Sequence, residues 1–434
     1  MKRISVTLLF CSILFLVTCS SKTGKENREL ALRIRNDQRL DRVRQMAYDL
    51  VKSGFNAGTS YGEVWIRDFN TFIEVSCEVL PHEQVREKLL VFFKFQGSDG
   101  NIIDGYIPRE KAAVSYDFIY SDRVPQYAGH KNTVETDQEA SLVQAVWKYV
   151  KKTGDTFILQ QDVFGETVLD RMQRAMRFLL DNRFSQKYGL IWGATTADWG
   201  DVQPEHQWGV VLDENSHLAI DIYDNAMFVI ALNDLIDLLD NEEAKTKWIS
   251  LRDEIKKNIR KHLWDEKARK FIPHLYLDGS PFPADFDESK IYYHGGTAVA
   301  IEAGLLSREE IAAVNAWMLE NQKKAGAQSI GLTLYPPYPK GYFKNPSMYP
   351  YGYQNGGDWT WFGGRMIQQL VRYGFAGEAY QEIQPMIDRV LKNNGFYEWY
   401  TVDGEPKGAG EFRGSAGVLA KAIEMLKEWA EMNQ

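Results

Sequence analysis

Along the chain, apolar positions recur at three- and four-residue spacing with polar faces between them, the signature of amphipathic helices. Twelve such stretches stand out: 26–53, 66–80, 82–96, 135–153, 156–182, 220–240, 243–264, 295–305, 307–321, 357–373, 376–391 and 412–431. The connections between them alternate in length. Short turns fall at Pro81, Thr153-Gly154-Asp155, Asp240-Asn241-Glu242, Ser307 and Gly374, whereas long loops fill roughly 54–65, 97–134, 183–219, 265–294, 322–356 and 392–411. Every long loop precedes an even-numbered helix. If each short turn closes a helical hairpin, the long loops all emerge at one end of the assembly. The pattern therefore predicts an all-α fold, an (α/α)6 toroid of six hairpins, with even helices inside, odd helices outside and long loops on one rim. Loops beyond about 15 residues inside a compact domain are usually functional. A helical solenoid would also pair its helices, but the chain shows no fixed repeat period. Within the loops, Lys270 to Leu277 ahead of Asp278-Gly279 reads as a small hairpin lip.

Composition supports a large globular core: 434 residues, 44% hydrophobic and 25% charged. Aromatic content is 13%, with 12 Trp and 22 Tyr, and much of it lies in the loops, where flat rings stack on sugars or anchor interfaces. The first 18 residues, basic at Lys2-Arg3 and apolar from Ile4 to Val17, read as a signal peptide. Leu16-Val17-Thr18-Cys19 resembles a bacterial lipobox, with Thr18 in place of the usual smaller residue, so Cys19 is expected to carry lipid. Residues 19–27 would then be a tether and 28–434 a single catalytic domain on the bacterial cell envelope. Removing Lys2 and Arg3 takes the formal charge from −8 to −10, which argues against a nucleic-acid partner. Cys77 alone would remain free, and the seven His show no ligand-pair spacing, so neither a disulfide framework, a metal nor another cofactor is expected.

Glycoside cleavage needs two carboxyl groups flanking the bond, one to protonate the leaving oxygen and one to activate water or attack carbon. Acids in the rim loops are the candidates. In Ala197-Asp198-Trp199-Gly200-Asp201 the indole beside Asp198 could desolvate its carboxyl and raise its pKa, as a general acid at neutral pH requires. We assign the acid to Asp198 and keep Asp201 as the alternative. Glu398, between Tyr397 and Trp399, is the second carboxylate, although the segment reads equally well as a hairpin turning at Asp403-Gly404. Glu411 competes for the same role or favours the start of the last helix. Trp65, Arg67 and Asp68 at the start of the second helix, Asn355 and Trp359 in Tyr353-Gln354-Asn355-Gly356-Gly357-Asp358-Trp359, and Trp199, Asp201 and Glu411 are expected to bind sugar. Gly97-Ser98-Asp99-Gly100-Asn101 with Asp104-Gly105-Tyr106, and Tyr292-Tyr293-His294-Gly295-Gly296, read mainly as loop architecture.

Glu398-Trp399-Tyr400, followed by Gly404, Gly408, Phe412 and Ser415-Ala416, resembles the C-terminal signature of glycoside hydrolase family 63, the processing α-glucosidases and mannosylglycerate hydrolases. Tyr353 to Trp359 and Ala219 to Asn225 are similar in position to further family segments, and Trp65-Ile66-Arg67-Asp68 resembles the Trp-x-Arg-Asp of glucoamylases and debranching enzymes. The resemblance implies a general base at Glu398 and a general acid at Asp198, where Ala194-Thr195-Thr196-Ala197-Asp198 departs from the family's Glu-Ser-Gly-x-Asp. The expectation is a lipid-anchored, exo-acting, inverting glycosidase for an α-glucoside or related α-linked oligosaccharide. Its rivals are a non-catalytic surface glycan-binding lipoprotein and an (α/α)6 lyase or unsaturated glucuronyl hydrolase. The acidic substrates of the latter call for a basic rim, and this rim carries few cations such as Arg67 and Arg413.

Overall fold

In the computed structural model, residues 24–112, 117–207 and 210–434 are described. The signal segment and Cys19 lie outside them. Helices in chain order are α1 (24–36), α2 (Gln38–Lys52), α3 (Ile66–Val79), α4 (His82–Phe95), α5 (Gln138–Thr153), α6 (Phe157–Gln160), α7 (Val168–Asn182), α8 (Ile222–Leu238) and α9 (Glu242–His262). They continue with α10 (His294–Glu302), α11 (Arg308–Ala325), α12 (Thr360–Arg372), α13 (Ala376–Glu382), α14 (Gln384–Asn393) and α15 (Arg413–Met432). None of them is long and apolar enough to cross a membrane.

The inner ring closes on itself. α3 packs against α5, α5 against α8, α8 against α10, α10 against α12, α12 against α15, and α15 back against α3. These six are the even-numbered helices of the sequence pattern, and all start at the loop-bearing rim. Burial separates the two rings. α10 buries every residue from His294 to Ile301, and α12 every residue from Thr360 to Val371. The outer helix α9 buries only Trp248, Ile255 and Ile259, a single stripe at helical spacing.

Three expected helices are interrupted, each for a local reason. The stretch 26–53 breaks at Asp37, whose carboxylate accepts from the Arg39 N–H at 3.1 Å and caps α2; residues 24–27 of the expected tether are already helical. Phe164 and Gly165, at φ 55° and 90°, turn a short hairpin between α6 and α7. Pro385 cannot donate to a preceding turn, so α14 starts anew around it. The expected lip at 270–277 is likewise divided: Lys270–Phe271 pairs with Trp264–Asp265, and Leu275–Tyr276 pairs with the strand Leu218–Ile220.

Candidate active site

Because the inner helices begin at the same rim, the N-termini or preceding loops of five of them, all but α10, converge on one cavity of about 170 Å³. Tyr61, Trp65, Arg67 and Asp68 come from the start of α3 and the loop before it. Asp104, His130, Asn132 and Glu135 precede α5, Trp199 and Asp201 precede α8, and Tyr353, Gln354, Trp359 and Trp361 belong to the entry into α12. Glu398 and Phe412 complete the wall ahead of α15. Five loops therefore meet here.

Glu398 sits in the strand Tyr397–Tyr400, paired antiparallel with Pro406–Gly410, and the register breaks between Tyr397 and Trp399. The extra residue lies on the partner strand, so Gly408 and Ala409 both oppose Glu398 and an additional backbone N–H faces its carboxylate; the hairpin and the site are the same object. The carboxylate is 4% exposed and doubly held: the Ala409 N–H donates to Oε2 at 2.8 Å and the Tyr61 hydroxyl to Oε1 at 3.1 Å. Gly408, at φ 70°, lies so close that a Cβ there would stand 2.3 Å from Oε2. Burial raises the Glu398 pKa to about 7; the nearby charge of Asp201 adds to this, and the two hydrogen bonds oppose it.

Asp201 faces the same cavity, with Oδ1 accepting from Gln354 Nε2 at 2.5 Å. Burial raises its pKa while the Arg67 charge pulls the other way. The Asp68 pKa rises to about 8, first through burial and then through the charges of Glu398, Asp104 and Asp201, against the pull of Arg67. Arg67 is fully engaged: Nε donates to Asp137 Oδ2 at 2.7 Å, Nη2 to Asp137 Oδ1 at 3.2 Å, and it forms an ion pair with Glu135. Its guanidinium also lies 5.6 Å from the Trp199 ring. The aromatic wall is a cluster in which Trp199 meets Trp359 at 4.6 Å and Trp361 at 5.0 Å between ring centroids. Trp359 donates to the Tyr353 carbonyl, whereas the indole N–H groups of Trp199 and Trp361 have no acceptor among the described residues.

Six of the residues expected to bind sugar, Trp65, Arg67, Asp68, Trp199, Asp201 and Trp359, line this cavity together with Glu398. Three expected site residues do not. Asp198 is turned away by a left-handed backbone at φ 60°, and its carboxylate packs on the first turn of α10 behind Trp199. Asn355 is fully buried as a loop staple: it accepts from the Tyr338 N–H and donates to the carbonyls of Tyr338 and Met348, so both ends of its amide are used. Gln354, the residue before it, reaches the cavity instead. Glu411 adopts φ 49° and lines a separate hollow with Met46, Asp49 and Leu50. Tyr61, His130, Asn132 and Glu135 were not singled out by sequence. The one available signal was Arg67 on a buried helix face, which demands carboxylate partners and finds them in Glu135 and Asp137.

A search of curated proteins finds no match. Among solved structures, the chain is similar to a GH63 mannosylglycerate hydrolase from Thermus thermophilus in complex with glucose, at 15% identity and TM-score 0.61, covering 87% of this chain and 99% of that one. The same hydrolase in complex with Tris and D-glycerate gives 16% identity and TM-score 0.63, with the same coverage. A rhamnosidase from Klebsiella oxytoca with rhamnose bound gives 14% identity and TM-score 0.57 over 89% of this chain and 63% of that one. These likenesses fix the fold as the (α/α)6 toroid. Residues 29–398, most of the chain and up to Glu398, match the family model described as "Glycosyl hydrolase 94 superfamily, catalytic domain". The chain thus belongs to the glycosyl hydrolase 94 superfamily, carries its catalytic domain, and is a glycosidase.

Proposed function

We propose that the enzyme is an exo-acting, inverting glycosidase for an α-glucoside or related α-linked oligosaccharide, with Asp201 as general acid and Glu398 as general base. One observation carries this reading: a buried carboxyl, Glu398, and a half-buried one, Asp201, come from different rim loops, are both raised in pKa, and line a single cavity in which Glu398 feels the charge of Asp201. A cavity of about 170 Å³ suits one terminal sugar ring rather than a strand threading through. In a single displacement Asp201 gives its proton to the glycosidic oxygen as the bond from the anomeric carbon to that oxygen breaks, while Glu398 takes a proton from the water that attacks the same carbon from the opposite face. The Tyr61 and Ala409 donors stabilise the ionised form of Glu398 that a base requires. Asp68 and Asp104 offer acceptors to sugar hydroxyls, and the half-buried ring of Trp65 offers a face for stacking. The mannosylglycerate hydrolase complex with glucose is consistent with this sugar class. Inversion rests on the resemblance to family 63 and calls for carboxyls about 6.5–9.5 Å apart.

Loss of the general acid or base typically costs about 10² to 10⁴ in rate. Asp201→Asn and Glu398→Gln are therefore expected to lower kcat on α-linked disaccharides by that order while leaving KM within a few-fold. Full turnover by either variant would remove its residue from the reaction. The lipobox supports anchoring through Cys19 on the cell envelope; Cys19→Ala is expected to move the protein from the membrane fraction to the soluble one, and unchanged fractionation would refute the anchor.

A further inference from the structure

Asp198 and Asp201 are three residues apart, both are carboxylic acids, and the structure gives them different surroundings. Asp198 is 1% exposed. Its Oδ1 accepts from the Gly296 N–H at 2.9 Å, in the first turn of α10, and its Oδ2 has no hydrogen-bond partner among the described residues. The approach depends on the glycine pair: a Cβ on Gly295 would stand 2.8 Å from Oδ2, and one on Gly296 2.7 Å from Oδ1. The Thr196 hydroxyl donates to the Asp198 carbonyl at 2.9 Å, and the Tyr293 hydroxyl donates to the Thr196 carbonyl at 3.1 Å. At the other end of the loop, Gln354 grips Asp201, and Gly200 leaves room for the glutamine's Oε1, which would lie 2.7 Å from a Cβ. Trp199 fills the space between. Behind its ring, the hollow shared by Asp198, Glu135, Asp221, Tyr223 and Asp224 has no volume open even to water. No sugar can reach Asp198 there.

We propose that Asp198 is a positioning residue: its carboxyl clamps residues 196–201 onto the start of α10, so that Asp201 is held in the cavity while Asp198 itself never meets substrate. This rests on the proposed role of Asp201 as the acid. A displacement of about 1 Å at a reacting group can cost on the order of 10²-fold in rate, so a clamp outside the cavity has catalytic consequences. Burial also raises the Asp198 pKa to about 8, so near neutrality the group is largely uncharged. Asparagine keeps the Oδ1 acceptor and tolerates a left-handed backbone, whereas alanine loses both.

The test compares two substrates, the disaccharide that the wild type cleaves and the matching glycosyl fluoride, whose leaving group needs no proton. Asp198→Asn is expected to keep both turnovers within about threefold of wild type. Asp198→Ala is expected to lose about tenfold or more on the disaccharide at nearly unchanged KM, with the fluoride rate within about threefold, because a misplaced acid matters only where protonation is needed. If Asp198→Asn loses disaccharide turnover as completely as Asp201→Asn while the fluoride rate survives, Asp198 is itself the donor and the proposal is overturned. If Asp198→Ala loses both rates equally, its role is only structural and the proposal again fails. Full disaccharide turnover by Asp201→Asn would instead overturn the acid assignment, whatever the Asp198 variants do.

Discussion

Tyr61 shows how one hydroxyl tunes the site. Its hydrogen bond lowers the pKa of Glu398 against the upward push of burial. Tyr61→Phe removes a donor to the ionised form, so the pKa rises. A hydrogen bond to a charged group contributes about 1.5–3 kcal/mol in favourable cases, and one pH unit corresponds to about 1.4 kcal/mol. The acidic limb of kcat/KM, set by ionisation of the base near pH 7 in the wild type, is therefore expected to move up by about one unit in Tyr61→Phe. A limb that stays in place would show that Glu398 is not the titrating base. The same scale explains what the sequence could and could not reveal. Glu398 was half legible: a carboxylate flanked by aromatics ahead of Asp403-Gly404 reads equally well as a site residue or as part of a hairpin, and here it is both. The choice between Asp198 and Asp201 was not, because it depends on a single left-handed residue that turns one side chain onto α10 and leaves the other in the cavity. Asn355 and Gln354, adjacent in the chain, likewise part company, one stapling its loop and the other reaching the cavity.

At the scale of elements, the helix pattern was readable because an outer helix such as α9 carries one apolar stripe and the inner helices α8 and α10 are apolar almost all round, and both stand out against polar loops. The breaks at Asp37, Phe164-Gly165 and Pro385 were hidden because apolar spacing continues across them, and only capping or turn chemistry marks the boundary. The hairpin bearing Glu398 depends on Gly408, which combines φ 70° with a Cβ direction aimed at the carboxylate. Gly408→Ala is expected to lower kcat by about tenfold or more, since either the strand or Glu398 must move. Its circular-dichroism spectrum should remain that of the wild type, because the hairpin is a small part of a helical protein. A wild-type rate would show that the bulged strand does not hold Glu398 in place. Inside α15, Gly417 meets α3 so closely that a Cβ would stand 2.5 Å from Phe72 Cα and 2.7 Å from the Thr71 carbonyl oxygen. Gly417→Ala is expected to destabilise by about 1–3 kcal/mol in denaturant unfolding, the usual range for overpacking.

Across the whole molecule, buried polar groups tie the inner ring together below the cavity. Asn70 of α3 donates to Gln144 of α5 at 2.9 Å, Gln144 to the Met227 carbonyl of α8 at 2.9 Å, and Gln368 of α12 to the Val418 carbonyl of α15 at 2.9 Å. Arg365 of α12 meets Glu302 of α10 at 2.9 Å. Such bonds specify the order and register of helices that apolar packing alone would leave interchangeable. Removing one partner of a buried pair typically costs about 3–5 kcal/mol, so Glu302→Ala is expected to lose about that much in denaturant unfolding. Burial alone would raise the Glu302 pKa, but the charges of Arg365, Lys148 and Arg372 outweigh it and leave it lowered. Its contribution is thus fully present above the unfolded-state value of about 4.3 and lost as pH falls through the lower folded value. Wild type should accordingly lose more stability than Glu302→Gln over that acidic range.

The toroid brings six loops to one rim, and in the proposed function Glu398 and Asp201 cleave an α-glycosidic bond across the cavity with inversion. Proton NMR of the first-formed sugar tests this most directly. With α-linked glucose disaccharides, the wild type should release β-glucose first and Glu398→Gln should release almost none; α-glucose as the first product, or undiminished release by the variant, would contradict it.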